Sequence, residues 1–468
     1  MTDNKAGFSI YDLLLLFDKD SLHNIPDNFA SIGVSTDTRT IVQNNIFIAL
    51  TGENSDGHSR VSEAFAKGAS AAIVSSEWYQ TNQTDLSSKA IISSGDTLKS
   101  LHLLANHHRR RFDLPILAIG GANGKTTTKN MTTHLLQSKY NVLSTFENFN
   151  NQIGVPMMLL SLNGEHDIAV LEIGTNEPGE IAVLSDMIEP TFGLITNIGK
   201  EHLEKLIDLD GVEMEETYLF GYLHKKGGTC MINFDDERLK RYDRILENKF
   251  SFSSGGDETD LQASITLDGQ MYPLIKLSYQ ENSVEFRLRT QGLTTAYNAL
   301  AASAAALNMG MELNEIAAQL IVYENKELHG YGRMVVENID GVMLINDCYN
   351  ANPDSMKAAL GTLRNLKTEK AKIAVLGDMR ELGDASGSEH LELLKIAADS
   401  ADTVMIYGNE MLKAFTQIKP ESDFHWSDDK TVIAEMLLSD WSNYSAVLVK
   451  GSRGMRMEEI INYIKNNR

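Results

Sequence analysis

GANGKTTT, residues 121–128, decides the fold of this chain. An apolar run over 114–119 leads into it, and a helical pattern over 125–138 follows. A glycine-rich turn between a strand and a helix lets backbone N–H groups face a phosphate, with the positive end of the helix dipole behind them. Gly121 and Gly124 supply the curl around Asn123. Lys125 reaches terminal phosphates, Thr126 offers a hydroxyl to Mg²⁺, and Thr127 extends the polar turn. The strict phosphate-loop pattern has glycine where this chain has Ile119. The plainer reading is a helix start that happens to contain Gly-Lys-Thr.

Further strands are expected over 168–173 and 192–197. Glu172 ends the run IAVLEIG, where a neighbouring parallel strand would deliver an acid to bound phosphates. His202 follows FGLITNIG within GKEHLE. Each alone reads equally as an ordinary strand-end or surface residue. Together they suit a divalent cation near the loop.

Around this centre the chain reads as three α/β blocks. The first, to about residue 112, has strands over 46–50 and 71–74, a helix over 61–67, and a last helix over 97–111 that ends in HHRRR. That cluster is expected to be a solvated helix end whose cations suit the negative end of the dipole. In the second block, residues 249–288 alternate in period two and predict an antiparallel meander. Helices over 295–307 and 313–322 close it. The third block begins near residue 330. Strands over 342–345, 372–376, 403–406 and 446–449 alternate with helices, the pattern of a parallel doubly wound sheet. Polar residues and glycines cluster after those strands, where such sheets bind ligands.

The bulk composition narrows the function. The 468 residues carry a formal charge of -22, which excludes a broad nucleic-acid footprint. Two distant cysteines, Cys230 and Cys348, make neither a disulfide framework nor a zinc cluster and fit a reducing compartment. No stretch reaches the ~18 apolar residues of a membrane span. A cytoplasmic, monomeric protein without membrane insertion is expected.

At this point the sequence resembles the Mur ligases of peptidoglycan synthesis, MurF type. STDTR (35–39) and NNIFIALTGENSDGH (44–58) look like the family's uridine-nucleotide domain. GANGKTTTKNM, ENFNNQIGVP (147–156), LEIGTNEPGEI (171–181) and TNIGKEHLE (196–204) are similar to its ATPase domain. GRMVV (332–336), NDCYNANPDSM (346–356), AVLGDMRELG (374–383) and VKGSRGMRME (449–458) resemble its C-terminal domain. The resemblance implies a three-domain α/β architecture. It comprises a UDP-sugar-binding domain (1–112), a central P-loop ATPase domain with a parallel sheet (113–328) and a Rossmann-like ligase domain (329–468).

It also implies an ATP-dependent amide ligase that joins D-alanyl-D-alanine to a UDP-N-acetylmuramoyl-tripeptide through an acyl-phosphate. Lys125 and Thr126 would hold ATP phosphates and Mg²⁺. Glu172 and His202 would bind a second Mg²⁺. Asn148, Asn150 and Asn151 lie in the loop approaching nucleotide and substrate. Asn298 would sit near adenine, Arg333 near the phosphates and Asp347 near the ribose. Asn350, Asn352, Ser355 and Lys450 are candidates for the dipeptide, and Thr38 and Arg39 for the UDP-sugar.

Two departures stand out. The family's carbamylated lysine aligns with Glu216 in GVEMEETYLFGYL, and no lysine lies between Lys205 and Lys225. Glu216 is expected to supply the negative charge directly, with Glu213 as a substitute on the same helical face. The competing expectation is weakened or lost turnover in a nucleotide-binding homologue. A Mur-type paralogue with another acceptor is the other alternative. Second, Thr294-Thr295 replaces the family's usual His-Asn, which bears on the adenine contacts.

Overall fold

Strand Ile116–Gly120 is buried along its whole length, as its unbroken apolar run requires, and it ends at the glycine-rich loop. The computed structural model describes residues 4–52, 55–325, 332–418 and 423–468. The chain divides into two units, and the division falls within that strand. One unit comprises Met1–Ala118, Tyr140–Gly174 and Glu180–Thr191; the other comprises Ile119–Lys139, Thr175–Gly179 and Phe192–Arg468.

In the first unit a five-stranded sheet runs Leu22–His23, Ile91–Ser94, Ala71–Ser75, Ile46–Ile48, Val34–Ser35. All its pairings are parallel except that of Leu22–His23. Phe47, Ala49, Val61, Ala64, Ala72 and Val74 form the core on one face. The helix expected over 97–111 is Thr97–Arg109, started by Asp96, whose carboxylate accepts from the Leu98 and Lys99 N–H groups.

Its end is solvated only at Arg110 and Arg111; the residues before them are not, contrary to expectation. His108 and Arg109 are buried. The Arg109 guanidinium donates to the carbonyls of Phe112, Ile188 and Glu189 at 3.0, 2.8 and 3.1 Å. Ile188 ends the helix Glu180–Ile188, so Arg109 satisfies carbonyls that have no partner within that helix. Sequence spacing alone did not reveal this bracket between segments some eighty positions apart.

In the second unit, strands Phe192–Ile195, Thr229–Asn233, Lys249–Ser253, Leu261–Leu267, Pro273–Tyr279 and Asn282–Arg287 lie side by side in chain order. The meander expected over 249–288 is shorter. Lys249–Ser253 pairs parallel with both neighbours, and only the last three strands are antiparallel. Leu261–Leu267 and Pro273–Tyr279 show the alternating burial of strands covered on one face. The alanine-rich helix Leu293–Asn308 packs on helix Lys125–Gln137, which follows the glycine-rich loop.

The same unit holds a six-stranded sheet, in the order Val335–Ile339, Val342–Asp347, Tyr444–Lys450, Ala371–Gly377, Thr403–Tyr407, Asp423–Ser427. Its first pairing is antiparallel and the rest are parallel. Apolar clusters cover both faces, as a doubly wound sheet demands. The four central strands are those the sequence predicts. The two edge strands lack a continuous apolar run because each is half-exposed. The start of this block near residue 330 lies outside the described residues.

Candidate active site

The glycine-rich loop is held from beneath by strand Phe192–Ile195 and its extension. Thr196 N–H donates to Gly120 O, Ala122 N–H to Asn197 O, and Asn123 N–H to Asn197 Oδ1 at 3.1 Å. Gly121 and Gly124 adopt φ of 107° and 85°, which only glycine takes without strain. A Cβ on Gly124 would collide with Asn298. Asn298 Oδ1 also faces the Thr128 hydroxyl at 3.4 Å, so this asparagine seats the loop. Thr126 and Thr127 lie in the first turn of the helix that leaves it.

Lys125 folds back on its own loop, donating to the Gly121 carbonyl. Its ammonium also lies 3.3 Å from Glu201 Oε2. Glu201 is a buried acid that the sequence analysis passed over; only its position beside His202 marks it. His202 has φ of 49°, and its Nδ1 lies 2.7 Å from Glu381 Oε2. Its Nε2 faces Glu201 at 4.0 Å. The hydrogen bond from His202 holds the Glu381 carboxyl below its ordinary range. Glu381, in GDMRELG, is a second residue missed from sequence. It likewise takes positive φ, at 66°.

Glu216 is fully buried in the helix Leu209–Glu216. Its Oε2 accepts the Gly121 N–H at 2.7 Å. Burial pushes its carboxyl up to about 8; Lys125 opposes that shift and Glu201 adds to it. Glu213 faces elsewhere, held by Arg238 at 2.7 Å and by Arg241. That pairing removes it as a substitute for Glu216.

In the six-stranded sheet, Lys450 Nζ lies 2.6 Å from Asp347 Oδ2 and 3.0 Å from the Asn350 carbonyl. Asp347 Oδ1 accepts the Met334 N–H. The Arg333 guanidinium stacks over the Tyr349 ring at 3.8 Å. Asn352 and Ser355 form a capping box at the start of helix Pro353–Asn365. Asn352 Nδ2 also reaches Asn123 Oδ1 at 3.0 Å, joining this helix start to the loop. Lys200 adds two further ties, by its backbone N–H to Asp354 and its ammonium to Glu389.

The first unit carries the other expected residues. Glu172 is buried at the end of strand Ile168–Glu172, and its Oε1 accepts from Asn150 Nδ2 at 2.8 Å. Asn148 and Asn150 lie in one turn, and Asn151 Oδ1 accepts from the N–H groups of Ile153 and Gly154. Thr38 is buried, with its carbonyl held by Lys67. Arg39 is exposed and pairs with Asp37.

Among the described residues no group of three or more His, Cys, Asp or Glu is gathered to hold a metal. Magnesium does not require one, since it keeps waters and uses one or two carboxylates plus substrate phosphates. In the second unit, Glu216 Oε1 and Glu201 Oε1 are buried and lack a hydrogen-bond partner among the described residues. Such orphaned oxygens are costly unless a cation or proton meets them. The donor set therefore fits Mg²⁺ with a nucleotide. The two cysteines are buried and free, and burial raises both thiols, which leaves no thiolate nucleophile there.

Residues 119–306 match the Mur ligase middle domain, and 332–453 match the Mur ligase glutamate ligase domain. The UDP-N-acetylmuramoyl-tripeptide–D-alanyl-D-alanine ligase of Bacillus subtilis (strain 168) is 33% identical, with 92% of each chain covered. The enzyme of the same name from Escherichia coli (strain K12) is 32% identical, covering 93% of this chain and 94% of that one. A crystal structure of MurF from Acinetobacter baumannii superposes with a TM-score of 0.87 at 28% identity, covering 99% of this chain and 100% of that one.

Proposed function

This chain belongs to the Mur ligase family, and we propose from that premise how its residues perform the family's D-alanyl-D-alanine-adding reaction. It is an ATP-dependent ligase that joins D-alanyl-D-alanine to a UDP-N-acetylmuramoyl-tripeptide in peptidoglycan synthesis. The observation that carries the assignment of roles is the loop itself. Lys125 stands at its mouth beside buried carboxylate oxygens that have no partner among the described residues.

A carboxylate oxygen of the tripeptide attacks the γ-phosphorus of ATP, and ADP leaves. The amine of D-alanyl-D-alanine attacks the carbonyl carbon of the acyl-phosphate, and phosphate leaves as the amide forms. No protein nucleophile enters either step. Gly121, Asn123, Gly124, Lys125, Thr126 and Thr127 cradle the phosphates, with Lys125 offsetting charge that builds on the transferred group. Thr126 would hold one Mg²⁺, and Glu172 and His202 would be the ligands of a second; such cations would supply further charge neutralisation. Glu216 takes the place of the family's carbamylated lysine through its free Oε1. Arg333 serves the phosphates, Asp347 the ribose and Asn298 the adenine side of the loop. Asn350, Asn352, Ser355 and Lys450 serve the dipeptide, Asn148, Asn150 and Asn151 the substrate approach, and Thr38 and Arg39 the UDP-sugar.

The working division is 1–112, 113–328 and 329–468, supported by the two family matches. No helix among the described residues is long and apolar enough to cross a membrane. The acidic charge agrees with a protein that does not engage nucleic acid.

The test is release of ADP and phosphate coupled to amide product, with ATP, UDP-N-acetylmuramoyl-tripeptide and D-alanyl-D-alanine present together. Turnover needs all three. Failure to form the amide with this trio would overturn the assignment. Glu216→Ala should lose turnover; undiminished turnover removes Glu216 from the machinery, and stimulation of the wild type by bicarbonate points to a carbamylated lysine instead.

A further inference from the structure

We propose that Glu201 makes nucleotide binding conditional on a divalent cation. It holds the loop lysine until a metal-bound phosphate takes its place. The inference rests on the nucleotide reading of the loop and adds a residue that reading does not use.

Three observations carry it. First, Lys125 is occupied: its ammonium donates to Gly121 O and lies 3.3 Å from Glu201 Oε2. Both contacts turn the ammonium back onto the protein, so reaching out to clamp a phosphate means leaving Glu201. Second, Glu201 is buried, and its Oε1 has no hydrogen-bond partner among the described residues. That oxygen is the one through which a cation arriving with a phosphate would meet Glu201. Third, a second buried carboxylate, Glu216, lies at the same loop, bonded to Gly121 N–H with its own Oε1 unpartnered.

The consequence is electrostatic. When Lys125 turns to a phosphate, Glu201 is left buried, uncompensated and close to an incoming polyanion. Removing one partner of a buried pair is strongly unfavourable for the charge that stays behind. A metal-free nucleotide must bear that cost in full. A nucleotide carrying a divalent cation brings positive charge to the orphaned oxygen and restores the balance. His202 Nε2, 4.0 Å from Glu201 Oε2, is placed to join the new arrangement. Glu201 thus acts as a positioning residue through Lys125.

The experiment measures the dissociation constant of ADP by titration calorimetry, in EDTA and in Mg²⁺, for full-length wild type, Glu201→Gln and Glu201→Ala. Each variant supplies its own ratio of the two constants, so a general loss of stability cancels. Wild type should bind Mg²⁺-ADP and bind metal-free ADP poorly. In Glu201→Gln the metal-free affinity should rise roughly 10- to 100-fold, with the Mg²⁺ form changing much less. Glu201→Ala should move the ratio the same way. Ratios unchanged in both variants overturn the inference while leaving the ligase reading intact. A wild type that binds no nucleotide in either buffer overturns both.

Discussion

The Glu216 carboxylate accepts the backbone N–H of Gly121 at 2.7 Å, although the two residues are 95 positions apart. The acid is fully buried and sits within reach of the charges on Lys125 and Glu201. It therefore ties the helix Leu209–Glu216 to the start of the glycine-rich loop, and its protonation state sets part of the loop's charge.

This contact predicts a pH-dependent stability. The folded Glu216 carboxyl lies at about 8, above its ordinary 4.5, because burial disfavours the charged form. The folded protein then holds a proton that the unfolded chain has released between those two values. Stability from this group is full below about pH 4.5, declines through that window and levels off above about pH 8. Glutamine stays neutral and lacks the decline. The melting temperature of Glu216→Gln relative to wild type should therefore rise between about pH 5 and about pH 8, by a few degrees. A constant difference across that range would count against the contact.

Gly121→Ala should damage both fold and binding. At φ of 107° a Cβ would lie 2.7 Å from Thr196 N and 3.0 Å from Asn197 N, both backbone atoms that cannot move aside. A loss of about 2–4 kcal/mol is expected in urea denaturation, with ADP binding lost. Gly387→Ala is the control: it lies within helix Ser386–Ala398, its Cβ meets nothing within 4 Å, and it should stabilise by about 0.5–1 kcal/mol.

Lys450→Met should strand a buried acid. The side chains of Lys450 and Asp347 are 3% and 12% exposed and lie 2.6 Å apart. Removing the ammonium alone should cost about 3–5 kcal/mol, and Asp347→Asn added to it should recover part of that loss. Denaturation of the single and double variants measures both. Equal stabilities of the two would show that the pair is not coupled.

Arg109 and Arg110 are adjacent in sequence but should differ in effect. Arg109→Leu leaves three carbonyls without their donor and should cost about 2–4 kcal/mol. Arg110 makes a surface pair with Glu189, and Arg110→Ala should cost about 0–1 kcal/mol. Thermal melts of the two variants decide it; similar losses would contradict the buried bracket.

The four central strands of the six-stranded sheet were legible in the sequence because a strand buried on two faces must be an apolar run. The half-exposed edge strands Val335–Ile339 and Asp423–Ser427 were not, since their residues satisfy no such demand. Likewise HHRRR reads as a polar helix end until Ile188 and Glu189 are brought against it.

The glycine-rich loop was legible in the sequence alone. Its glycines, lysine and threonines act through local backbone geometry, which eight consecutive residues can specify. The carboxylates around it were decided by the tertiary structure. Glu216 on Gly121, Glu201 on Lys125 and Glu381 on His202 each join residues far apart in the chain. Which charge meets which depends on how the chain returns through the core. Burial then sets what each charge costs, and neither property is written in the identity of a glutamate.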